Sequence, residues 1–334
     1  MEKNKLGGGH MCTAATYYSK DHYFGRNLDL EFSYHETVTI MPRNYRFPIR
    51  HQNDLDSHYA LIGMAFVVDD YPLFYDAINE KGVGMAGLNF PGNADYKEMN
   101  PEKDNIAPFE FIPWILGQCA SVQEARTLLE RINLINENFS EQLPLSPLHW
   151  MISDKTESIV VEQTKEGLRI YDNPVGVMTN NPTFDIQLFE LNKYMALSTE
   201  PAQNTFAKNL SLQQYSRGMG AIGLPGDLSS TSRFVKAAFT RMNSVSGESE
   251  LESVSQFFHI LGSVDQQRGC VHLGDDAYEI TIYTSCCNLD EGIYYYNTYE
   301  NHQITAVDMH KADLDGTKLS TYPLRHGENV LWEN

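Results

Sequence analysis

The sequence has few of the features that mark a membrane protein, a secreted protein or a nucleic-acid-binding protein. Its apolar stretch 59–68 is too short to span a bilayer, and residues 1–11 lack the apolar centre of a secretory signal. Lys and Arg number 25 against 44 Asp and Glu, which gives a net charge of −19. Phosphate binding needs a basic surface, so this charge argues against nucleic acid as a partner. We therefore predict a soluble, cytoplasmic chain with neither a membrane nor a nucleic-acid partner.

Patterns for disulfides and metals are also scarce. The five cysteines are an odd number and form no C-x-x-C pair, so neither a disulfide framework nor a zinc site is indicated. No H-E-x-x-H motif occurs among the eleven histidines. Cys119, Cys270, Cys286 and Cys287 are predicted to be buried structural thiols, since free cysteine is usually buried. We expect no metal and no cofactor.

Other patterns of catalytic interest lack the context that would support them. The segment Gly218-Met219-Gly220-Ala221-Ile222-Gly223 matches the G-x-G-x-x-G pattern of dinucleotide sites. No clear strand precedes it and Pro225 follows it, so we predict a glycine-rich loop. His149, in a predicted strand, and His259, in an apolar helix, are predicted to be core or surface residues rather than catalytic ones.

Cys12 is the most informative residue of the N-terminal region. The preceding segment looks artificial, because Gly7-Gly8-Gly9-His10-Met11 is typical of a linker, and we expect residues 1–11 to be a leader outside the fold. Without the leader the chain begins at Cys12. A chain-terminal cysteine carries a thiol nucleophile and a free α-amine that can act as a base. While Met11 is attached that nitrogen is a peptide nitrogen, so function is expected to depend on cutting one bond.

The remainder of the chain is predicted to be rich in strands. Its 334 residues include 42% apolar residues, which suits a globular protein, and 12–334 is expected to form a single domain. Runs of β-branched and aromatic residues between Gly and Asp turns predict strands. The predicted strands are 12–18, 22–30, 37–41, 60–68, 82–90, 148–152, 158–164, 168–171, 278–284, 292–299 and 303–308.

Predicted helices lie between these strand-rich regions. The apolar segment 107–119 contains Pro113 as an expected kink, and Ser121-Val122-Gln123-Glu124 is a capping box that opens a helix to about residue 131. Further helices are predicted at 184–196, 232–242 and 252–261. Helices that do not alternate with single strands favour an α+β fold of stacked antiparallel sheets covered by helices over a parallel doubly wound sheet.

Arg26 and Asp29 form a compact polar group within the predicted strand 22–30. One interpretation is a salt bridge at the end of a strand. The other places both residues against Cys12, which two adjacent strands would allow. A cation near sulfur would lower the thiol pKa and favour the thiolate, and a carboxylate could orient the ammonium form of the terminus.

Three further polar residues also have a structural and a catalytic interpretation. Asn89 and Asn180 stand close to Pro or Gly, where Asn is an ordinary turn residue, but each could instead donate an amide hydrogen bond to an oxyanion. Arg233 begins a predicted helix after a serine-rich run, either as a solvated surface charge or as a site residue. The residues alone leave these alternatives open.

Several separate motifs follow one another in chain order from Cys12 nearly to the end of the chain. They are Phe24-Gly25-Arg26-Asn27-Leu28-Asp29, Gly87-Leu88-Asn89-Phe90-Pro91, Pro147-Leu148-His149-Trp150, Thr179-Asn180-Asn181-Pro182-Thr183-Phe184, Gly223-Leu224-Pro225-Gly226-Asp227 and Ile293-Tyr294-Tyr295-Tyr296-Asn297-Thr298-Tyr299. In this order they resemble the choloylglycine hydrolase family, which contains bile salt hydrolases and penicillin V acylases.

The resemblance implies an N-terminal-nucleophile hydrolase with an αββα sandwich. It also implies six active-site residues, which are Cys12 as the nucleophile, Arg26 and Asp29 as the arginine and aspartate that flank it, Asn89 and Asn180 as the asparagines near the oxyanion, and Arg233 as the distal arginine. In the implied reaction the Cys12 thiolate attacks an amide carbonyl and water resolves the thioester. The freed α-amine, with an ordinary pKa near 8, would exchange the proton. Removing one oxyanion donor is expected to cost about 3 kcal/mol.

The resemblance also implies a substrate class. An asparagine at position 89 resembles the sequences of the bile-salt branch of the family, whereas a tyrosine at this position is more typical of penicillin V acylases. We therefore expect a small-molecule conjugated bile salt, linked to glycine or taurine, as the substrate. Six apolar residues in predicted early loops are candidates to contact the steroid, with core packing as the alternative: Phe32, Tyr34, Phe66, Val68, Tyr71 and Leu143.

Other outcomes remain open from the sequence. A penicillin V acylase or another acyl-amide hydrolase, such as an acyl-homoserine lactone acylase, would use the same nucleophile. A leader-blocked or binding-only form would be inactive. Family members commonly form homotetramers, so the resemblance implies a homotetramer here, and segment 203–217, polar and between helices, is a candidate assembly element.

Overall fold

A computed structural model describes residues 11–334, so the predicted leader, apart from Met11, lies outside the described residues. The strands in chain order are β1 Cys12–Tyr18, β2 His22–Leu30, β3 Thr37–Met41, β4 Leu61–Val68, β5 Tyr71–Asn79, β6 Gly84–Asn89, β7 Asp104–Ile106, β8 Ile132–Leu134, β9 Leu148–Ser153, β10 Ser158–Thr164, β11 Gly167–Asp172, β12 Val177–Met178, β13 His272–Gly274, β14 Ala277–Tyr278, β15 Ile280–Asn288, β16 Ile293–Thr298, β17 Asn301–Asp308 and β18 Ser320–Pro323.

Helices are fewer than strands among these residues. The α-helices are α1 Phe111–Leu116, α2 Val122–Leu129, α3 Phe184–Glu190, α4 Ser230–Asn243 and α5 Glu250–Gly262, and the 3-10 turns are Pro108–Glu110, Leu191–Tyr194, Met219–Ala221 and Met309–Lys311. Within residues 11–334, none of these helices is long and apolar enough to cross a membrane.

Two antiparallel sheets organise the fold. The first has six strands in the order β12-β1-β2-β15-β16-β17, and the second has eight in the order β11-β10-β9-β6-β5-β4-β3-β18. Two small pairs stand apart from them, the parallel β7 and β8 and the antiparallel β13 and β14. β1 is the second strand of the first sheet, between the edge strand β12 and β2, and Cys12 at its start is buried.

The sheets stack face to face with helices on their outer sides. One apolar core joins the two sheets, for example through Phe24 and Met151, and extends to α4 and α5 through Phe234 and Phe257. A second core lies between the second sheet and helices α1 and α2, where Trp150 contacts the ring of Phe111 edge-on at 4.7 Å. The observed order of layers is helix, sheet, sheet, helix, which confirms the predicted α+β sandwich.

Most predicted elements coincide with observed ones, and β5 is the main omission. Pro72 and Asp76 interrupt the apolar pattern of β5, yet the strand lies inside the sheet between β4 and β6. Helix 107–119 is shorter than predicted, because α1 begins only at Phe111. Pro113 therefore lies in the first turn, where a missing N–H costs no helical hydrogen bond, and the predicted kink is unnecessary. The predicted helix 184–196 stops at Glu190 and continues as a 3-10 turn.

The cysteine and glycine predictions are mostly confirmed. Cys119, Cys286 and Cys287 are buried, but Cys270 is exposed, so the prediction of a buried thiol was wrong there. Cys270 follows Gly269 in a surface turn ahead of β13, and a turn exposes its side chains. Gly218 has a φ of 77° and opens a short 3-10 turn, which agrees with the predicted glycine-rich loop.

Candidate active site

The Cys12 side chain is held at the start of β1. Cys12 pairs with Leu28 of β2 in the strand register, and only 2% of its surface is exposed. The backbone N–H of Asp29, one residue further along β2, donates a hydrogen bond to the sulfur. Because two adjacent strands of one sheet supply these atoms, the thiol has a fixed position.

Arg26 connects the sulfur to the second sheet. Its Nη2 lies 2.6 Å from Cys12 Sγ. Its Nη1 donates to the carbonyl oxygens of Gly87 at 2.6 Å and Tyr75 at 3.2 Å. Those carbonyls belong to β6 and β5, so the guanidinium is clamped between the sheets and directed at the thiol. The structure supports the second interpretation of Arg26, as a cation beside Cys12.

The charge environment of Cys12 contains opposing effects. Burial raises the pKa of the thiol, and the nearby Arg26 guanidinium lowers it. The Asp29 carboxylate raises that pKa as well. The net effect in this form of the chain is a raised pKa of the Cys12 thiol. A thiolate at this position therefore depends on Arg26 to compensate its charge.

Arg233 lies beside the backbone of Cys12. It occupies the first turn of α4 and is only 1% exposed, so the surface-charge interpretation was wrong. Its Nη1 donates to the Cys12 carbonyl oxygen at 2.5 Å and to Thr13 Oγ1 at 2.7 Å. Its Nη2 donates to Asn180 Oδ1 at 2.7 Å. Arg233 therefore holds the backbone at Cys12 in place.

Asn180 joins Cys12 to Asn89. Its Oδ1 accepts a hydrogen bond from the backbone nitrogen of Cys12 at 2.8 Å. Its Nδ2 donates to the carbonyl oxygen of Asn89 at 2.8 Å, and its own N–H donates to Ser230 Oγ at 2.9 Å. The Asn180 side-chain oxygen thus holds the Cys12 nitrogen in position. The role of Asn180 as a hydrogen-bond donor to an oxyanion stays a prediction.

Two buried carboxyl groups, those of Asp29 and Glu279, lie near the Met11–Cys12 peptide bond. Asp29 Oδ1 accepts from Thr281 Oγ1 at 2.7 Å, and burial raises the pKa of Asp29 to about 7 against the lowering effect of Arg233. Glu279 accepts a hydrogen bond from the Met11 N–H, and burial raises its pKa to about 7 as well. Glu279 was missed in the sequence, because nothing in its local pattern connects it with Cys12.

An apolar cavity of about 530 Å³ opens over the sulfur. Cys12, Arg26 and Asn89 form its polar end. Its walls are largely apolar and include Leu28, Leu30, Tyr34, Phe66, Leu73, Phe74, Phe109, Ile112, Phe139, Leu143 and Trp150. Such a cavity suits a ligand with a large apolar body and one polar end that reaches the thiol.

Three of the six predicted substrate contacts line this cavity, namely Tyr34, Phe66 and Leu143. The other three, Phe32, Val68 and Tyr71, lie outside the lining formed by residues 11–334.

Each of the three has a position that explains this. Phe32 is about half exposed and packs its ring against Tyr34 at 4.9 Å. Val68 ends β4 opposite Tyr71. Tyr71 packs behind the wall, with ring distances of 4.9 Å to Phe47 and 5.2 Å to Phe139.

The wall residues that sequence reasoning missed include side chains from β5, from the 3-10 turn Pro108–Glu110 and from the loop before β9. Leu73 and Phe74 lie on the strand that was not predicted. Phe109 and Phe139 contact each other edge-on at 5.2 Å, and Arg50 lies over the Phe109 ring at 4.6 Å. The aromatic content of these segments was a usable signal, but only the fold shows that they converge on Cys12.

The sequence comparisons match nearly the whole chain. The sequence model for linear amide C–N hydrolases of the choloylglycine hydrolase family matches residues 12–322. A bile salt hydrolase/transferase from Lactiplantibacillus plantarum is 60% identical over 94% of this chain and 97% of that protein. A bile salt hydrolase/transferase from Clostridium perfringens is 43% identical over 93% of this chain and 96% of that protein.

The structural comparisons agree with the sequence matches. A cysteine-to-alanine mutant of the conjugated bile acid hydrolase from Clostridium perfringens has a TM-score of 0.89 at 40% identity, covering 97% of this chain and 100% of that chain. Penicillin V acylase from Agrobacterium tumefaciens has a TM-score of 0.73 at 18% identity, covering 95% and 94% of the two chains. The second likeness concerns the fold alone.

Proposed function

Because this chain belongs to the choloylglycine hydrolase family of linear amide C–N hydrolases, we propose that it hydrolyses the amide bond of bile salts conjugated to glycine or taurine. The products are the free bile acid and the amino acid. The observation that carries the proposal is the buried Cys12 thiol at the polar end of an apolar cavity of about 530 Å³. The names of the relatives at 60% and 43% identity support the choice of bile salt.

Activation requires a free α-amine on Cys12. In the leader-attached chain this nitrogen belongs to a peptide bond and donates to Asn180 Oδ1 at 2.8 Å. Once Met11 is removed the nitrogen becomes an amine that can accept a proton. Asp29 and Glu279 lie near the Met11–Cys12 backbone, so their carboxylate forms would favour the ammonium form of the Cys12 amine electrostatically.

Acylation follows from this arrangement. The Cys12 thiol gives its proton to the α-amine, and Arg26 stabilises the resulting thiolate. The sulfur attacks the amide carbonyl carbon, a C–S bond forms, and the carbonyl oxygen becomes an oxyanion beside Asn89. The C–N bond then breaks as the α-ammonium gives its proton to the leaving nitrogen of glycine or taurine.

Deacylation returns the enzyme to its starting state. A water molecule gives one proton to the α-amine and attacks the thioester carbonyl carbon. The C–S bond breaks, the bile acid leaves, and the ammonium proton returns to the sulfur. Asn180 and Arg233 hold the Cys12 backbone in place through both steps by their contacts with its nitrogen and its carbonyl oxygen.

A direct comparison of substrates tests the proposal. A chain that begins at Cys12 should release glycine from glycocholate faster than phenoxyacetate from penicillin V, and Cys12→Ala should abolish both activities. Faster release of phenoxyacetate would contradict the bile-salt assignment. Equal glycine release by the alanine variant would contradict the nucleophile itself.

The expected homotetramer is a separate part of the proposal. Segment 195–222 carries six large apolar side chains that are strongly exposed, namely Met195, Phe206, Leu210, Leu212, Tyr215 and Ile222. Exposed apolar groups of this size favour burial against another chain, and the segment includes the predicted assembly element 203–217. Light scattering should give the mass of four chains, and a monomeric mass would contradict the tetramer.

A further inference from the structure

His149 is a buried histidine that the proposed reaction does not use. It lies in β9, and its side chain is fully buried, as is that of Glu162 in β10. Val161 pairs with Trp150 in the register of these strands, so Glu162 is the cross-strand neighbour of His149. Met151 shares a face with His149, because strand side chains alternate, and Met151 belongs to the core between the sheets. The imidazole therefore points into that interface.

Three neighbours hold the His149 ring. Its Nδ1 lies 3.0 Å from Glu162 Oε1, and its Nε2 lies 2.8 Å from the carbonyl oxygen of Thr179. The Phe90 ring stacks on it at 4.2 Å with an interplanar angle of 6°. Glu162 Oε1 also accepts the N–H of Phe184 at 3.1 Å. The ring therefore has one orientation.

These contacts determine where protons must be. A carbonyl oxygen only accepts, so Nε2 of His149 carries a proton and donates it to Thr179. Nδ1 lies within hydrogen-bond distance of Glu162 Oε1, and this second contact keeps Nε2 directed at Thr179.

The partners of this ring are sequence neighbours of two site residues. Thr179 immediately precedes Asn180, and Phe90 immediately follows Asn89. The segment 179–180 follows β12 of the first sheet, whereas residue 90 follows β6 of the second. The His149 ring therefore bridges the two sheets at the place where Asn180 Nδ2 meets the Asn89 carbonyl oxygen.

We propose that His149, oriented by Glu162, is a positioning residue that holds the Asn180 turn and the end of β6 against Cys12. Its catalytic consequence rests on the proposed function. If the bond to Thr179 is lost, Asn180 shifts relative to the Cys12 nitrogen that it contacts, and a misplaced group near the nucleophile lowers kcat. The apolar cavity is formed by other residues, so KM should change little.

Two variants at position 149 distinguish the effect of the hydrogen bond to Thr179 from the effect of filling a buried site. Gln at position 149 can place its amide nitrogen near the position of Nε2 and still donate to Thr179. Asn reaches only as far as Nδ1, so it can contact Glu162 but not Thr179. His22→Gln is the matched control, because His22 is also a buried histidine of the sandwich. It lies at the start of β2, and its ring contacts Thr16 of β1.

The kinetic readout uses glycocholate and a chain that begins at Cys12. His149→Asn should lower kcat roughly tenfold, as expected for one lost positioning hydrogen bond, with KM within about twofold. His149→Gln should lose less than about threefold, and His22→Gln should match the wild type. Equal kcat values for His149→Asn and His149→Gln, or the same loss in His22→Gln, would overturn the proposal.

Hydrogen exchange by mass spectrometry gives a readout that does not need the substrate. His149→Asn should speed exchange in 177–184 and in 88–94, while His22→Gln should not, and unchanged exchange would overturn the proposal. If His149→Asn fails to fold, Glu162→Gln carries the same test, and wild-type kcat with wild-type exchange would overturn it. If the wild type releases no glycine, the proposed function fails, and exchange alone decides the role of His149.

Discussion

Cys12 and Arg26 form a buried pair, and the charge of Arg26 influences the ionisation of the Cys12 thiol. The guanidinium lies 2.6 Å from the sulfur and is held by two carbonyl oxygens of the opposite sheet. Burial acts against the thiolate, and Arg26 is the cation that opposes this effect. The reactivity of the thiol should therefore depend on this one side chain.

We expect Arg26→Gln to raise the Cys12 thiol pKa, because a neutral amide no longer stabilises the thiolate. Each unit of increase should lower the alkylation rate by iodoacetamide at pH 7.5 about tenfold. The measurement is the pH dependence of alkylation in a Cys270→Ser background, which removes the exposed thiol. An unchanged or lowered pKa in the Arg26 variant would contradict the role of the cation.

Asp29 should make the folded chain less stable as the pH rises from 4.5 to 7. Burial raises its folded pKa to about 7 from an ordinary 3.8, so the folded state binds the proton more tightly than the unfolded state in this range. Its contribution is present below the unfolded pKa and is lost as the pH approaches 7. Asp29→Asn removes this effect, so the variant should gain stability relative to the wild type across the range, by on the order of 1 to 4 kcal/mol.

Urea unfolding at pH 4.5 and pH 7 measures this difference. Asp227→Asn is the control, because hydrogen bonds from Ser229 and Ser232 lower the Asp227 pKa to about 2 and its titration is complete below pH 4.5. Parallel pH dependence in the wild type and Asp29→Asn would show that Asp29 does not titrate as described.

The sequence predicted which residues lie near Cys12, but not how deeply they are buried or what they contact. Cys12, Arg26, Asn180 and Arg233 meet at one place, as the resemblance implied. Burial could not be inferred for Arg233, because its charge suggested the surface and its partners come from β1 and the segment after β12. The position of Glu279 depends likewise on the pairing of β15 with β2, which the local sequence does not specify.

β2 is the element that positions the site, and it lies unusually close to β15. A Cβ added to Gly25 would stand 2.0 Å from the Ser285 carbonyl oxygen and 2.6 Å from its carbonyl carbon. Both obstacles are backbone atoms, so one strand would have to move. Arg26 follows directly in β2, and its N–H donates to Ser285 Oγ at 3.0 Å.

We expect Gly25→Ala to destabilise the fold by about 1 to 3 kcal/mol, as in other overpacked interiors. It should also reduce activity, because Arg26 would move. Gly226→Ala is the control, since a Cβ at Gly226 meets nothing within 4 Å among the described residues, and it should change stability by less than about 0.5 kcal/mol. Thermal unfolding of both variants is the measurement. Equal melting temperatures for Gly25→Ala and the wild type would contradict the close approach.

At the element scale, regular periodicity was enough to predict most strands and helices. β5 was missed because Pro72 and Asp76 break its pattern, although pairing on both sides overrides them. Asp76 is stabilised by long-range contacts, since Tyr283 and Tyr294 donate hydrogen bonds to it at 2.5 and 2.7 Å. The loop 139–147 has no periodicity, so its position in the cavity wall could be found only from the fold.

The whole molecule combines an acidic charge with a proposed anionic substrate. Its net charge of −19 should repel a conjugated bile salt over long distances, and the cavity must offset this with Arg26 and apolar surface. We also propose that 12–334 is a single domain. The pairing of β18 with β3, and of β15 with β2, supports this, because strands from both ends of the chain complete each sheet.

We expect kcat/KM for glycocholate to rise as salt screens this repulsion. Between 10 and 150 mM NaCl the Debye length falls from about 30 Å to about 8 Å, and the increase should be roughly two- to tenfold, at substrate concentrations below micelle formation. The uncharged methyl ester of glycocholate is the matched control and should show little change. A decrease for glycocholate, or the same change for the ester, would contradict the electrostatic argument.

We propose that Cys12 becomes an N-terminal nucleophile once Met11 is removed. The most direct test compares a chain that begins at Cys12 with one that retains Met11, each verified by intact mass, for glycine release from glycocholate. We expect the first chain to release glycine and the second to release it at least about a hundredfold more slowly, because a peptide nitrogen cannot exchange the proton. Equal rates in the two chains would contradict it.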